Sequence, residues 1–277
     1  MTEQPSGPIG IFDSGYGGLT ILKEIRALLP QYDYIYIGDN ARAPYGTRSF
    51  DIVYRFTLQA VKHLFDRGCR LVILACNTAS AKALRTIQQV DLPQLDPQRR
   101  VLGVIRPTVE AIGNLSATKE IGIFATPGTI ASRSFEIEIS KLHPQYHTTG
   151  HACPMWVPLI ENDRKDTPGA EYFFKDDVDT LMRKNPAIDT IILGCTHYPL
   201  IKQKIKQYLP QGVKLVEQGH IVARSLKDYL ARHPEMERQC SKGTHIEYLT
   251  TENTEKFNAA ASQFLGGDIT SRQITIN

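Results

Sequence analysis

Short apolar runs rich in Ile, Val and Tyr, separated by longer stretches of helical spacing, leave this chain few folds to choose from. The runs are GPIGIF, YDYIYIG, CRLVILA, VLGVIR, KEIGIF and DTIILG, each of strand length. Their centres, such as ILA and IIL, do not alternate apolar with polar residues, as expected of strands covered by helices on both faces. After the first run, Leu19, Leu22, Ile25, Leu28 and Leu29 recur at helical steps and stop before Pro30, which predicts an amphipathic helix. Strand and helix in alternation give an α/β fold with mainly parallel sheets.

The sequence also echoes itself. IGIF at 9–12 returns as IGIF at 121–124, a shift of 112, and LVILACNTASAKAL with Cys76 is echoed by TIILGCTHYPLIKQ with Cys195, a shift of 119. Two matches in the same order predict two similar α/β halves facing each other. With 277 residues, at about 100 to 200 per domain, the length agrees with two domains. We expect the first to comprise residues 1–102 plus 212–277 and the second 103–211. In open α/β sheets ligands bind beyond the carboxyl ends of the strands. That rule gives most weight to Asp13 and Ser14, Asp39 and Asn40, Cys76 to Thr78, Thr126, and Cys195 to His197.

Composition excludes several classes of function. An apolar content of 42% supports a sizeable core, and 32 basic against 29 acidic residues, a formal charge of +3, argues for no nucleic-acid partner. The N-terminus MTEQPSGPIG lacks the basic and apolar regions of a secretory signal, and no apolar stretch is long enough to span a membrane. Five cysteines, an odd number without a C-x-x-C pair, are unlike a disulfide framework or a zinc knot. A cytoplasmic protein with reduced thiols is expected.

Cys76 and Cys195 each follow an apolar strand and precede a helix start, a position that favours the thiolate over the thiol. For one such cysteine the plain alternative is a buried structural residue. Two in equivalent places are harder to dismiss. Thiols facing each other across a cleft can act as base and acid on opposite faces of one carbon, the minimum equipment for inverting a stereocentre without a cofactor. His197 lies two residues after Cys195 and can serve as its acid, base or electrostatic partner.

The glycines of DSGYGGLT fit the first two positions of a dinucleotide loop, with Asp39 ending the next strand, but Thr20 occupies the third position. A tight turn anchoring a small carboxylate or ammonium group through Asp13, Ser14 and nearby N–H groups is the other functional reading, and a helix N-cap the structural one. Phe12-Asp13-Ser14-Gly15-Tyr16 mismatches the hydrolase G-x-S-x-G elbow, and no Walker A loop is present. His143, His147 and His151 are read as exposed structural residues rather than a zinc site, because Pro144 and Gly150 interrupt a helix. Lys202, Lys204, Lys206 and Lys214 are read as a solvated face.

FDSGYGGLT, GDNARAPYG, ACNTASA, ACPMWVPLIE and LGCTHYPLI, in that order over positions 12–201, closely resemble the motifs of bacterial glutamate racemase, a member of the cofactor-independent aspartate/glutamate racemase superfamily. The resemblance implies two α/β domains with the active site between them, no cofactor, no metal, and a supply of D-glutamate for peptidoglycan. It makes Cys76 and Cys195 the catalytic thiols, with Asp13 assisting Cys76, and Glu161 and His197 assisting Cys195. Asp13, Ser14, Tyr45, Gly46, Asn77, Thr78, Thr126, Thr196 and His197 would surround the substrate. The partners expected are L- or D-glutamate and, as an assembly, a homodimer, with no nucleic acid and no membrane. A racemase for aspartate or another amino acid, or a non-catalytic amino-acid-binding protein, are the alternatives. Two departures stand out: GVIRPT at 103–108 where the family commonly reads GVIEPG, and Thr250-Thr251-Glu252 where it has Ser-Gly-Asp or Thr-Gly-Asp. Neither touches a catalytic motif, so both are expected to leave the reaction alone and to bear instead on interface or regulatory behaviour.

Overall fold

The computed structural model describes residues 6–276, and it carries two sheets in which all pairs are parallel. The strands are β1 (Ile9–Asp13), β2 (Tyr34–Gly38), β3 (Leu71–Leu74), β4 (Arg100–Gly103), β5 (Glu120–Ala125), β6 (His147–Ala152), β7 (Thr190–Gly194), β8 (Lys214–Val216), β9 (Ile246–Thr250) and β10 (Ser271–Gln273). The first sheet runs β10-β9-β2-β1-β3-β4 and the second β6-β5-β7-β8.

The second order repeats the β2-β1-β3-β4 segment of the first, strand for strand. The echo holds at the level of register too. Ile11 pairs with Ile73 in the first sheet, and Ile123 with Ile192 in the second, so the shifts of 112 and 119 seen in the sequence map one hydrogen-bonded ladder onto the other. β9 and β10 extend the first sheet alone.

The unbroken apolar character of the runs has a packing cause. Successive side chains of a strand point to opposite faces, and here both faces are covered. Ile9, Ile11, Tyr34 and Tyr36 enter one core while Phe12, Ile35 and Ile37 enter another. Phe124, Ile191 and Leu193 are divided in the same way from Ile121, Ile123 and Ile192. Each such fully buried side chain contributes about 1.5–3 kcal/mol.

The expected helix spans Leu19–Leu28, buries Leu19, Ile21, Leu22 and Ile25, and packs on the helix Gly219–Arg232. Leu28 faces outward. The run VLGVIR divides: its strand ends at Gly103, and Ile105 and Arg106 open a helix instead.

The chain crosses to the second sheet after β4 and returns after β8. Because Val216 pairs with Ile192, the second sheet extends past the expected boundary at 211–212. Among the described residues no helix is long and apolar enough to cross a membrane.

Candidate active site

In the order β2-β1-β3-β4 the direction in which successive strands are added reverses between β1 and β3, and in its copy between β5 and β7. Ligand crevices form at such switch points. The residues that follow these four strands are Asp13–Ser14, Cys76, Thr126 and Cys195, and all but Asp13 line one cavity of about 70 Å³ between the two sheets. Tyr45, Gly46, Asn77, Thr78, Glu161, Thr196 and His197 complete the predicted set in its wall.

Cys76 is the N-cap of the helix Asn77–Lys82. Its Sγ accepts from Ala79 N at 3.4 Å and lies 3.3 Å from Ser14 Oγ. The sequence argument expected this helix start to favour the thiolate. The structure reverses that expectation: burial, then the Asp13 carboxylate, push the thiol up to about 12, outweighing the Ser14 and Ala79 bonds. Its surroundings therefore favour the thiol form of Cys76.

Cys195 has a different environment. Its Sγ lies 3.8 Å from His197 Nδ1, while His197 Nε2 is 2.9 Å from Glu161 Oε1. Burial would lower the imidazole's pKa, but the bonds to Cys195 and Glu161 and their charges prevail and hold it well above its ordinary value. The protonated form of His197 is thus favoured beside the Cys195 sulfur.

Asp13 is fully buried beneath the cavity and does not line it. It accepts from Gly15 N at 2.9 Å and from Thr196 Oγ1 at 3.4 Å, so its expected place among the substrate contacts is corrected to one behind them. Burial raises its pKa despite the nearby His197 charge. Tyr45 lines the cavity as expected, and its hydroxyl donates to Asp39.

Asp39 also takes both bonds of Arg42 Nε and one from Thr251 Oγ1 at 2.9 Å. With its carboxylate so occupied, Asp39 is unavailable to a ribose. Gly17 in turn is glycine because a Cβ there would lie 2.3 Å from Thr196 Oγ1 and 2.5 Å from His197 Nδ1. The glycine cluster is a close approach of the two halves, not a dinucleotide loop.

The family model described as Asp/Glu/hydantoin racemase matches residues 19–226. The chain belongs to this racemase family. It is 43% identical to the glutamate racemase of a Ruegeria species over 272 residues, covering 95% of this chain and 98% of that one. Among solved structures, a glutamate racemase isoform of Bacillus anthracis superposes with a TM-score of 0.89 at 32% identity, covering 99% of each chain. The Francisella tularensis glutamate racemase in complex with D-glutamate does so with 0.86 at 33%, covering 98% of each.

Within this racemase frame three hydroxyls bridge the halves. Thr78 Oγ1 lies 3.0 Å from Thr126 Oγ1 and 3.2 Å from Thr129 Oγ1. Thr126 caps the helix Pro127–Ser132 and accepts from Thr129 N. Thr126 before Pro127 is an N-cap signal, but Thr129 lacks the Glu or Gln of a capping box and nothing in the sequence marks it out. Gln218 and Thr108 were missed for another reason: they reach Asn77 only through the fold, Gln218 Oε1 accepting from Asn77 Nδ2 at 2.6 Å and Gln218 Nε2 donating to Thr108 Oγ1 at 2.9 Å. Thr108 and Thr251 of the two family departures each lie two hydrogen bonds from the cavity wall, Thr108 through Gln218 to Asn77 and Thr251 through Asp39 to Tyr45.

Of the three spaced histidines, only His147 is exposed, whereas His143 bonds Val109 O and His151 pairs with Asp177 at 2.7 Å. His151, Cys153 and Asp177 bring ligand-type atoms within 4.8 Å of one another. Asp177 is already held by His151 and by Trp156 Nε1, and Lys184 Nζ faces His151 Nδ1, so hydrogen bonds account for the group. Lys202 and Lys204 are ion-paired to Glu217 and Asp166 and are only half-exposed, while Lys206 and Lys214 face solvent.

Proposed function

We propose that this racemase interconverts L- and D-glutamate, with Cys76 and Cys195 as its two proton-transfer groups. The observation that carries the reading is the equivalence of the thiols: each follows the same strand of a repeated sheet, and the two meet in one cavity. Ser14, Asn77, Thr78, Thr126 and Thr196 supply the neutral hydrogen-bonding groups for a carboxylate and an ammonium.

From L-glutamate, Cys195 as thiolate takes the α-proton. The Cα–H electron pair stays on the substrate, delocalised into its carboxylate, and the Cys76 thiol delivers its own proton to the opposite face. Cys76 is left as thiolate and Cys195 as thiol, the state from which D-glutamate reacts. Asp13 assists the first thiol, and His197 with Glu161 the second. The product would supply D-glutamate for peptidoglycan, and the reading extends to a cytoplasmic homodimer, whose mass sedimentation measures.

Incubation of L-glutamate with the protein in D₂O, followed by NMR and chiral analysis, tests the proposal. Deuterium should enter at Cα as D-glutamate forms, and Cys76→Ser or Cys195→Ser should each lower the rate by about 10²–10⁴-fold or more. Aspartate is shorter by one methylene, which alone is worth about 1–3 kcal/mol. We expect glutamate to be preferred by at least roughly a hundredfold in kcat/KM. Equal turnover of L-aspartate would identify an aspartate racemase, and binding of glutamate without wash-in a non-catalytic binding protein.

A further inference from the structure

The carboxamide of Asn77 has one free end. Its Nδ2 donates to Gln218 Oε1 at 2.6 Å, whereas its Oδ1 is buried without a hydrogen-bond partner among the described residues, on a residue that lines the cavity. What fixes that orientation lies outside the site. Val104 O can only accept, and it takes the Thr108 hydroxyl proton at 2.7 Å. Thr108 Oγ1 must therefore accept from its other neighbour, the Nε2 amide of Gln218 at 2.9 Å. Gln218 in turn has its carbonyl end toward Asn77, which forces Asn77 to present its NH₂. Each amide end follows from the donor and acceptor capacity of the next group.

We propose that Gln218 is a positioning residue that sets the polarity of Asn77, so that Asn77 Oδ1 accepts a hydrogen bond from the α-ammonium of the substrate. The inference rests on the amino-acid racemase reading above and adds the residues that orient one of its contacts. A buried carbonyl oxygen without a donor is unfavourable, and an ammonium group is the partner that the chemistry of the substrate offers it.

The position of the relay explains why it is built from these residues. Val104 directly follows β4, where the chain leaves the first sheet, and Gln218 precedes the helix Gly219–Arg232, where it returns. Gln218 Nε2 also reaches Val104 O at 3.4 Å. Gln218 is 2% exposed, so water does not compete for its amide. Both crossings between the halves are thereby tied to one substrate contact.

Steady-state kinetics with glutamate in both directions, paired with inhibition by glutarate, test the proposal. Glutarate has both carboxylates of glutamate and no ammonium. Gln218→Met keeps the length and apolar stem but cannot orient Asn77. It should raise KM for both enantiomers about tenfold or more, the loss expected for a hydrogen bond to a charged group, with kcat changed less than about threefold and the glutarate inhibition constant unchanged. Gln218→Glu should restore KM to within about threefold of the parent, since at this buried position a protonated carboxyl group accepts from Asn77 Nδ2 with one oxygen and donates to Thr108 Oγ1 with the other, leaving the Thr108–Val104 bond in place. If Gln218→Met does not fold, Thr108→Val carries the test and should raise KM about two- to fivefold without moving the glutarate constant. An unchanged KM in the variant tested, or a glutarate constant rising by the same factor as KM, overturns the proposal. Failure of the parent protein to racemise glutamate in the same assay would instead overturn the reading of function.

Discussion

The two thiols are alike in sequence position and unlike in chemistry. Cys76 lies among burial and the Asp13 charge, which keep it protonated, whereas Cys195 lies against a cationic His197 bonded to Glu161. Alkylation of Cys76 by iodoacetamide, followed by mass spectrometry, should accelerate with pH toward a midpoint of about 12. Asp13→Asn removes the second of the causes and leaves burial, so the midpoint should fall yet stay above the ordinary thiol value. An unmoved midpoint would show that Asp13 does not act on this sulfur. For His197 the folded pKa exceeds the unfolded value of 6.5, so protonation stabilises the fold fully below about 6.5 and this contribution is lost as pH rises through the folded value. The difference in Tm between the parent protein and His197→Asn should therefore be largest near pH 6 and shrink in alkaline buffer. In kinetics the proposed mechanism has the same variant slow the L to D direction in kcat more than the D to L direction, because there His197 supports the base that faces L-glutamate.

At the scale of elements, the repeat is a matter of ladders rather than of similar letters. The register Gly10–Val72, Ile11–Ile73, Phe12–Leu74 is reproduced as Gly122–Ile191, Ile123–Ile192, Phe124–Leu193, and so the turns after these strands arrive at matching heights. The turn after β1 then meets the turn after β7. Gly17→Ala tests that contact, since the added Cβ would meet Thr196 and His197 at less than 3 Å. Overpacking of this kind costs about 1–3 kcal/mol, so Tm should fall while kcat falls further through the displaced imidazole. Full activity in Gly17→Ala would show that the approach has slack. Four strands escaped sequence reading. β6 (HTTGHA), β8 (KLV) and β10 (SRQ) are edge strands, short or polar, that join their sheets mainly through backbone hydrogen bonds. IEYLT of β9 interrupts its apolar run with Glu247, which bonds Arg67 and Arg272.

At the scale of the whole molecule, residues far apart in the chain share buried polar networks. Asp39 joins Arg42, Tyr45 and Thr251 and so anchors the 43–47 segment of the cavity wall to the turn after β9. Asp39→Asn weakens a largely buried pair, a change worth about 3 kcal/mol that the partial exposure of Arg42 reduces. Its Tm should drop and its KM for glutamate rise more than its kcat falls; an unchanged KM would detach this network from the site. The sequence by itself determined the α/β class, the two-fold repeat, both thiols and the strand-end residues, because strand burial and motif spacing are local properties written in consecutive letters. It also carried Glu161 and Gly46, through motif resemblance. Only the tertiary structure decided which protonation state burial favours at Cys76, that Asp13 lies behind the wall and that Asp39 holds the Tyr45 hydroxyl. It alone revealed that Gln218, Thr108 and Thr251 reach the site. Desolvation and donor–acceptor pairing depend on which groups the fold brings within a few ångströms, and residues 108, 218 and 251 meet residues 77 and 39 only when both sheets and their crossings are in place.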